Sequence, residues 1–164
     1  MNLEMARLFR TITHGVYVVG VADAEGPNAF TAAWVMQTSF DPPMLALSIN
    51  PYCLSYRKLM ASGLFSINVI PRDRVDWVMH FARPAGSDKL AGIDWTAGEG
   101  GVPLLGGAIA WFQCRLAGTL TCGDHVLASG RVCAGRLNSP DGEPLGYRDT
   151  GDLDGSSALY PDGF

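Results

Sequence analysis

The segment 31–50 constrains the fold of this chain most strongly, because two apolar runs in it flank a short polar stretch that a double proline closes. The polar stretch is Gln37-Thr38-Ser39, and Pro42-Pro43 ends it. Proline donates no backbone hydrogen bond and fixes φ at about −65°, so the stretch is expected to be rigid and to stay out of interior ladders. A rigid polar loop between buried strands suits a planar, hydrogen-bonding ligand beside an aromatic such as Trp34. A plain strand–turn–strand corner of a β-barrel accounts for the same pattern.

Apolar periodicity and turn residues predict a mainly β chain with short helices. The 20 Gly and 10 Pro imply many turns, which favours a β-rich fold. Besides the two strands of the segment above, strands are expected at 16–22, 64–70, 108–121 and 125–137. Helices are expected at 3–13, 55–62 and 72–83, a hairpin turn at 23–27 and a loop at 93–105. The apolar face of the third helix is expected to contain Val75, Val78, Met79 and Ala82.

Composition narrows the class of protein further. A chain of 164 residues with 48% hydrophobic and 17% charged residues is expected to form one compact domain with a real core. A net charge of −4 without long basic runs argues against nucleic-acid binding as the main role. The longest apolar run, 15–22, is too short to cross a bilayer, and the N-terminal residues do not resemble a signal peptide. The expectation is a cytoplasmic protein without a membrane segment.

The sequence contains no catalytic or metal-binding motif at a recognisable spacing. The four cysteines lack CxxC spacing, so free, buried thiols are expected rather than bridges or zinc ligands. A calcium-like loop at 150–155 fails, because Thr150 and Pro161 stand where acidic ligands are needed, and no metal site is predicted. Metalloprotease, phosphate-loop and nucleophile-elbow motifs are missing, and the three histidines are scattered. Demanding chemistry would therefore need a borrowed cofactor.

Several segments together resemble the flavin reductase-like family, the FMN-binding split barrels. The resemblance rests on Thr31 to Ser39, then Phe40-Asp41-Pro42-Pro43, then Met44 to Ile49, and continues through 65–70 and Gly123-Asp124-His125. It implies a Greek-key split β-barrel over residues 1–146 and a homodimer with flavin near the subunit interface. The tail 147–164 is expected to dock over the ligand cleft of its own or a partner subunit, and ordinary C-terminal disorder is the alternative.

The resemblance also implies which residues hold the flavin. A Ser or Thr after the second strand holds the flavin phosphate in the family, which points to Ser55, with Arg57 and Lys89 as supporting cations. From the sequence alone, a plain serine N-cap with solvated basic residues is the preferred explanation of these positions, and the resemblance reverses that preference. The expected contacts to the ring and ribityl chain are Asn28, Thr31, Ala33, Trp34, Val35, Gln37, Thr38 and Ser39. In the family, the histidine matching His125 is linked to the pyridine nucleotide, and a hydrogen-bonded turn residue is the alternative.

The function that the resemblance implies is reduction of FMN or FAD by NADH or NADPH. The flavin either stays bound or is released to a partner oxygenase or another electron acceptor. Trp34 and Gln37 replace small residues common in diffusible-flavin reductases, a pattern that resembles the flavoredoxin-type branch, where FMN stays bound. Two alternatives remain: an FMN-binding electron-transfer protein without direct NAD(P)H activity, and a non-enzymatic ligand-binding barrel. The sequence has no ribose-reading motif that would separate NADH from NADPH.

Overall fold

The computed structural model describes residues 3–161, and nine strands make up most of its regular structure. The strands are β1 Tyr17–Asp23, β2 Gly26–Ala32, β3 Val35–Ser39, β4 Met44–Ile49, β5 Leu64–Val69, β6 Trp95–Ala97, β7 Pro103–Leu105, β8 Ala110–Cys122 and β9 His125–Leu137. The helices are α1 Leu3–Phe9, α2 Leu54–Ser62 and α3 Asp76–Phe81. Short 3₁₀ turns lie at Glu99–Gly101, Tyr147–Thr150 and Ser156–Leu159. The prediction of a mainly β chain with short helices is confirmed.

Seven of the strands form one antiparallel sheet in the order β2-β1-β5-β8-β9-β4-β3. The remaining two, β6 and β7, form a small sheet of their own. Sequence neighbours β8 and β9 form a long ribbon, with Cys122 opposite His125 at its tip. Gly123 makes the tight turn there with φ 63°, a conformation that favours glycine. The ribbon carries His125 at the start of β9.

Strand β1 lies between two apolar cores, and its sequence explains why. Its valines are β-branched, suit a pleated strand, and are buried on both faces. Val18 packs in the cluster that contains Phe81, whereas Val19 packs in the cluster around Phe65 and Leu47. Because successive side chains point to opposite faces of a strand, one continuous apolar run supplies both cores. This double burial fixes the register of β1 and of its neighbour β2, whose far end helps to form the candidate site.

The small sheet β6–β7 corrects the prediction of a loop over 93–105. A buried side chain from another strand holds it in place: Asn68 on β5 accepts a hydrogen bond from the backbone N–H of Leu105 at 2.8 Å. The same amide donates to the carbonyl of Val18 at 3.0 Å. Gly20 on β1 allows the close approach, since a Cβ there would lie 2.7 Å from the carbonyl oxygen of Pro103. Tertiary contacts, rather than local propensity, create these strands.

Two of the predicted helices are shorter than expected. The first ends at Phe9, before the predicted limit of 13, and the third covers only Asp76–Phe81 of the predicted 72–83. The expected apolar face of α3 is wrong in part, because Val75 and Met79 are 42% and 48% exposed. The buried residues of α3 are Trp77, Val78 and Phe81, which fill the first core.

The polar stretch Gln37-Thr38-Ser39 belongs to β3 and is not the rigid loop that was expected. β3 is the last strand of the sheet, so its outer edge has no ladder partner among the described residues. Polar side chains are tolerated on such an edge, which explains the composition without a ligand. The prolines lie in the turn to β4, and the Asp41–Pro42 peptide bond is cis.

All four cysteines are free thiols, as predicted. Their expected burial is only partly right: Cys114 is buried and Cys53 half-buried, but Cys122 and Cys133 are exposed. Burial raises the pKa of the Cys114 thiol to about 12. Over residues 3–161, no helix is long and apolar enough to cross a membrane. The same residues contain no group of three or more metal-ligating side chains.

Candidate functional site

A groove of about 320 Å³ lies where β2 ends, beside the starts of α2 and β9. It is formed by elements that are distant in sequence but adjacent in the sheet, since Ile49 at the end of β4 pairs with Val126 at the start of β9. Its lining residues are Phe30, Thr31, Ala32, Ala33, Trp34, Ser48, Ile49, Asn50, Cys53, His125, Tyr147, Asp154, Ser156 and Leu159. The structure therefore brings together four predicted site residues: Thr31, Ala33, Trp34 and His125.

The backbone between β2 and β3 gives this groove unpaired donors. Ala33 and Trp34 both line it, and within residues 3–161 neither backbone N–H has a hydrogen-bond acceptor. Their carbonyls are engaged: that of Trp34 accepts from Ser48 at 2.9 Å, which anchors the connection to β4. Such N–H groups normally find a partner in water or a ligand. The groove can therefore donate two hydrogen bonds to the acceptor edge of a bound molecule.

Two rings stand side by side at the groove. The ring of Trp34 meets that of His125 edge-on, with centroids 5.0 Å apart. His125 Nδ1 lies 2.8 Å from a carboxylate oxygen of Asp124, so Nδ1 carries the proton and donates. This hydrogen bond holds the pKa of Asp124 below its usual value. The pair fixes the imidazole orientation and leaves Nε2 available as an acceptor when the ring is neutral.

A second hollow, of about 450 Å³, lies at the start of α2 and is lined by Asn28, Leu54, Lys58 and Lys89 among others. The Asn28 amide donates to the Ser55 hydroxyl at 3.0 Å, and both side chains are buried. Ser55 is not the N-cap of α2, because Cys53 holds that place and its Sγ accepts from the Tyr56 N–H. Among the described residues, the N–H groups of Leu54 and Ser55 have no acceptor. A helix start with free N–H groups suits an anion.

Two buried lysines border this hollow in different states. Lys58 binds the Asp23 carboxylate at 2.5 Å and the Gly26 carbonyl at 3.1 Å. This contact keeps the pKa of Asp23 below its usual value. Lys89 donates to the carbonyl of Phe81 at 3.1 Å, the one acceptor that contacts its ammonium within residues 3–161. Burial lowers the pKa of Lys89, since desolvation disfavours the charged form.

Residues 9–154 match the family model of the flavin reductase like domain. The chain belongs to the flavin reductase-like family. It is 36% identical over 140 residues to a probable flavin reductase of Rhizobium meliloti, covering 85% of this chain and 44% of that protein. It is 32% identical over 130 residues to the reductase component of a flavin-dependent trigonelline monooxygenase of Acinetobacter baylyi, covering 79% of this chain and 42% of that protein. The chain thus spans less than half the length of these two curated relatives.

A solved structure of the family shares the fold over almost the whole chain. It is the Streptomyces globisporus C-1027 NADH:FAD oxidoreductase in complex with NAD and FAD fragments. The TM-score is 0.82 at 26% identity, and the match covers 91% of this chain and 89% of that one. The expected flavin reductase-like fold is therefore confirmed.

Other candidate residues of this flavin reductase-like chain lie away from the groove. Gln37, Thr38 and Ser39 follow β3 towards Met44, at the opposite end of β4 from the groove. The Arg57 side chain is 68% exposed and lies 3.6 Å from the Glu25 carboxylate, so it points to solvent. None of these four side chains lines the groove or the hollow.

Val35, another predicted flavin contact, does not line the groove. It is half-buried and packs against the core that contains Phe65 and Leu47. It therefore supports the groove from below instead of lining it.

Sequence reasoning missed several groove residues in this family member. Tyr147, the first residue of the tail, donates to Asp154 at 2.8 Å and lies 2.7 Å from the Ser156 hydroxyl. Burial is the main cause that raises the pKa of Tyr147. Cys53 and Asn50 also line the groove. The one expectation that pointed towards Tyr147 was that the tail 147–164 docks over the ligand cleft.

Proposed function

We propose that this protein is an NAD(P)H:flavin oxidoreductase that holds FMN or FAD along the groove and the adjoining hollow. The observation that carries the proposal is the pair of free backbone N–H donors at Ala33 and Trp34 in the floor of the groove. A second group of free donors lies at the start of α2, beside the hollow that Asn28 and Lys89 line, and the buried Ser55 is hydrogen-bonded to Asn28. The groove can thus bind the acceptor edge of a planar ring, and the hollow can bind a phosphate.

The residues present fit a flavin. The isoalloxazine edge carries carbonyl and ring-nitrogen acceptors, which suit the N–H groups of Ala33 and Trp34. The indole of Trp34 supplies an apolar wall. The phosphate would be held by the N–H groups that open α2 and by the Lys89 ammonium. Asn28 lines the hollow and donates a hydrogen bond to the buried Ser55 hydroxyl.

The named relatives support the same activity. The Rhizobium meliloti protein is named a probable flavin reductase, and the Acinetobacter baylyi protein a monooxygenase reductase component. The solved Streptomyces globisporus relative holds NAD and FAD fragments. We therefore propose that reduced flavin, or its electrons, passes to an oxygenase or another acceptor. We propose FMN or FAD as the flavin and NADH or NADPH as the hydride donor.

In the proposed mechanism, bound flavin supplies the centre that accepts hydride. The protein contributes positioning, since hydride transfer needs no acid or base from a side chain. Asp124 orients the ring of His125, and Nε2 can accept a hydrogen bond from the carboxamide of a nicotinamide. Trp34 packs edge-on against that ring and lines the same groove, so the two rings together limit the positions that a nicotinamide can take.

A homodimer in the cytoplasm is a further part of the proposal. Tyr52, between β4 and α2, is 93% exposed, and Leu120, near the tip of the β8–β9 ribbon, is 63% exposed. Both belong to segments that border the groove. A second subunit would bury them and close the groove from outside.

A second candidate function is an FMN-binding electron carrier that another reductase serves. The position of Trp34 favours it, because this residue is 46% exposed and its ring occupies space directly beside His125. A nicotinamide would have to enter against this ring.

The deciding experiment is an absorbance spectrum of the protein loaded with FMN, before and after anaerobic addition of NADH or NADPH. The expected result is flavin bands that bleach in a stopped-flow record. His125→Ala is expected to slow bleaching about tenfold with FMN affinity unchanged, because the ring positions the nicotinamide. Asp124→Asn is the matched variant that keeps the ring but weakens its orientation. Bands that persist with both nucleotides would favour the electron carrier, and failure to bind flavin would leave a non-enzymatic barrel.

A further inference from the structure

A separate pocket of about 280 Å³ lies between α1 and the tail, here residues 147–161. Its volume is close to the lower end of the range of about 300–1,000 Å³ that is typical of small-molecule sites. Side chains from both ends of the chain form it. Phe9 of α1 stacks on Tyr160 of the tail with ring centroids 5.5 Å apart. The pocket size suits one or two fused rings.

The walls of this pocket are mainly apolar and incompletely covered. Phe9, Ile12 and Trp34 are 48%, 51% and 46% exposed although they border a concave space. His14 also lines the pocket, and its ring meets Tyr147 edge-on at 6.4 Å. Aromatic side chains prefer such offset and edge-on partners, so a flat aromatic ligand would complete the arrangement.

Among the described residues, Arg10 is the one charged side chain that lines the pocket. One of its Nη atoms donates to Asp152 at 2.8 Å, and no second side-chain acceptor contacts its guanidinium within residues 3–161. The guanidinium of Arg148 lies close by, since its Nη2 reaches the carbonyl oxygen of Arg10 at 3.5 Å. Arg10 therefore keeps free donors in the fork geometry that suits a carboxylate.

We propose that this pocket binds a small aromatic carboxylate, with its rings between the aromatic walls and its carboxylate on Arg10. Trp34, Tyr147 and Ser156 line both the pocket and the flavin groove. A ligand in the pocket would therefore restrict the tail where it borders the groove and slow the exchange of flavin. This second consequence rests on the proposed function, whereas binding of the carboxylate does not.

The test uses 2-naphthoate as the probe and isothermal titration calorimetry of the flavin-free full chain. Its uncharged counterpart, 2-naphthamide, is the control ligand. Arg10→Met is expected to weaken naphthoate binding at least about tenfold, because a charge-assisted hydrogen bond is lost. Asp152→Asn breaks the same ion pair but keeps the guanidinium, so naphthoate should bind as tightly as to the unmodified chain, or more tightly.

Several outcomes would overturn the proposal. Absence of naphthoate binding, or equal binding to Arg10→Met, would remove the carboxylate site. Displacement of naphthoate by NADH would assign the pocket to the dinucleotide instead. Loss of binding as protein concentration rises would assign it to a second copy of the chain.

The coupling has its own readout: the rate of FMN dissociation with and without saturating 2-naphthoate. Slower dissociation is expected, and an unchanged rate would contradict the coupling. Because naphthoate binding is measured without flavin, failure of the flavin proposal is distinguishable from failure of this one.

Discussion

The two sides of the hollow at the start of α2 each contribute a buried lysine, and the two differ in what surrounds the charge. On the β1–β2 side, Lys58 contacts a carboxylate and a carbonyl, and its side chain is 5% exposed. On the α3 side, Lys89 contacts only the carbonyl of Phe81 among the described residues. A buried ammonium is stable when paired and costly when it is not.

This difference indicates two roles. Lys58 ties α2 to the β1–β2 turn through Asp23 and is a structural cation. Lys89 keeps donors that no described residue uses, and its lowered pKa reflects the cost of that state. A bound phosphate would offset the free-energy cost of burying the Lys89 ammonium. Burial alone would not have separated them, since both residues are less than a tenth exposed.

The largest expected effect comes from Lys89→Met. FMN affinity should fall about tenfold to 100-fold, because a buried charge-assisted hydrogen bond to the phosphate is lost. Thermal stability should not fall, since methionine fills similar space without a buried charge. Fluorescence titration with FMN and thermal unfolding measure the two effects. Riboflavin, which has no phosphate, is the control ligand and should bind both proteins equally.

Lys58→Met is the matched variant on the other side of the hollow. It should lower the Tm by several degrees, because Asp23 loses the partner that holds its charge. FMN affinity should change less than threefold. If Lys58→Met weakened FMN binding as much as Lys89→Met, the two lysines would share one role. Circular dichroism melting in parallel with the FMN titration gives both values.

The pH dependence of FMN binding sharpens the comparison. The protonated form of Lys89 binds the phosphate, so affinity should fall as pH rises through the pKa of Lys89. Because that pKa lies below the ordinary 10.5, the fall should begin at a lower pH than for an exposed lysine. Titrations between about pH 7 and pH 10 would show it. Lys89→Met should lack this component, and an identical profile in both proteins would contradict the assignment.

The smallest effect is expected at Arg57, which the sequence had suggested as a phosphate partner. Its side chain is exposed and lies 3.6 Å from Glu25. Such surface pairs contribute about 0–1 kcal/mol. Arg57→Ala should leave the Tm and FMN affinity nearly unchanged. A loss of affinity as large as that of Lys89→Met would show that Arg57 reorients when flavin binds.

Apolar runs and turn residues predicted the strands and helix ends that depend on the local sequence. The buried valines of β1 and the two apolar runs of the β8–β9 ribbon gave their strands within a few residues. α2 ends at Ser62, the predicted limit, and is followed by Gly63 with φ 68°. The three-residue strands β6 and β7 could not be predicted, because the side chain of Asn68 on a distant strand holds them.

The candidate site was predictable only in part. Thr31, Ala33, Trp34 and His125 were selected through family resemblance and lie together. The free N–H groups of Ala33 and Trp34 are a property of sheet pairing, which no periodicity reveals. The prediction of a binding loop at Gln37-Thr38-Ser39 was wrong, because a polar edge strand and a polar binding loop have the same composition. Only the register of β3 against β4 separates them.

Trp34, which contacts His125 in the groove, is a natural fluorescent reporter for this site. Of the four tryptophans, Trp34 alone lines the groove, while Trp77 is buried in the first core. Indole emission overlaps the near-ultraviolet absorption of flavins, and the transfer of excitation energy falls steeply with distance. The fluorescence of Trp34 should therefore fall when a flavin occupies the groove. This quenching would report the occupancy of the groove without any label attached to the protein.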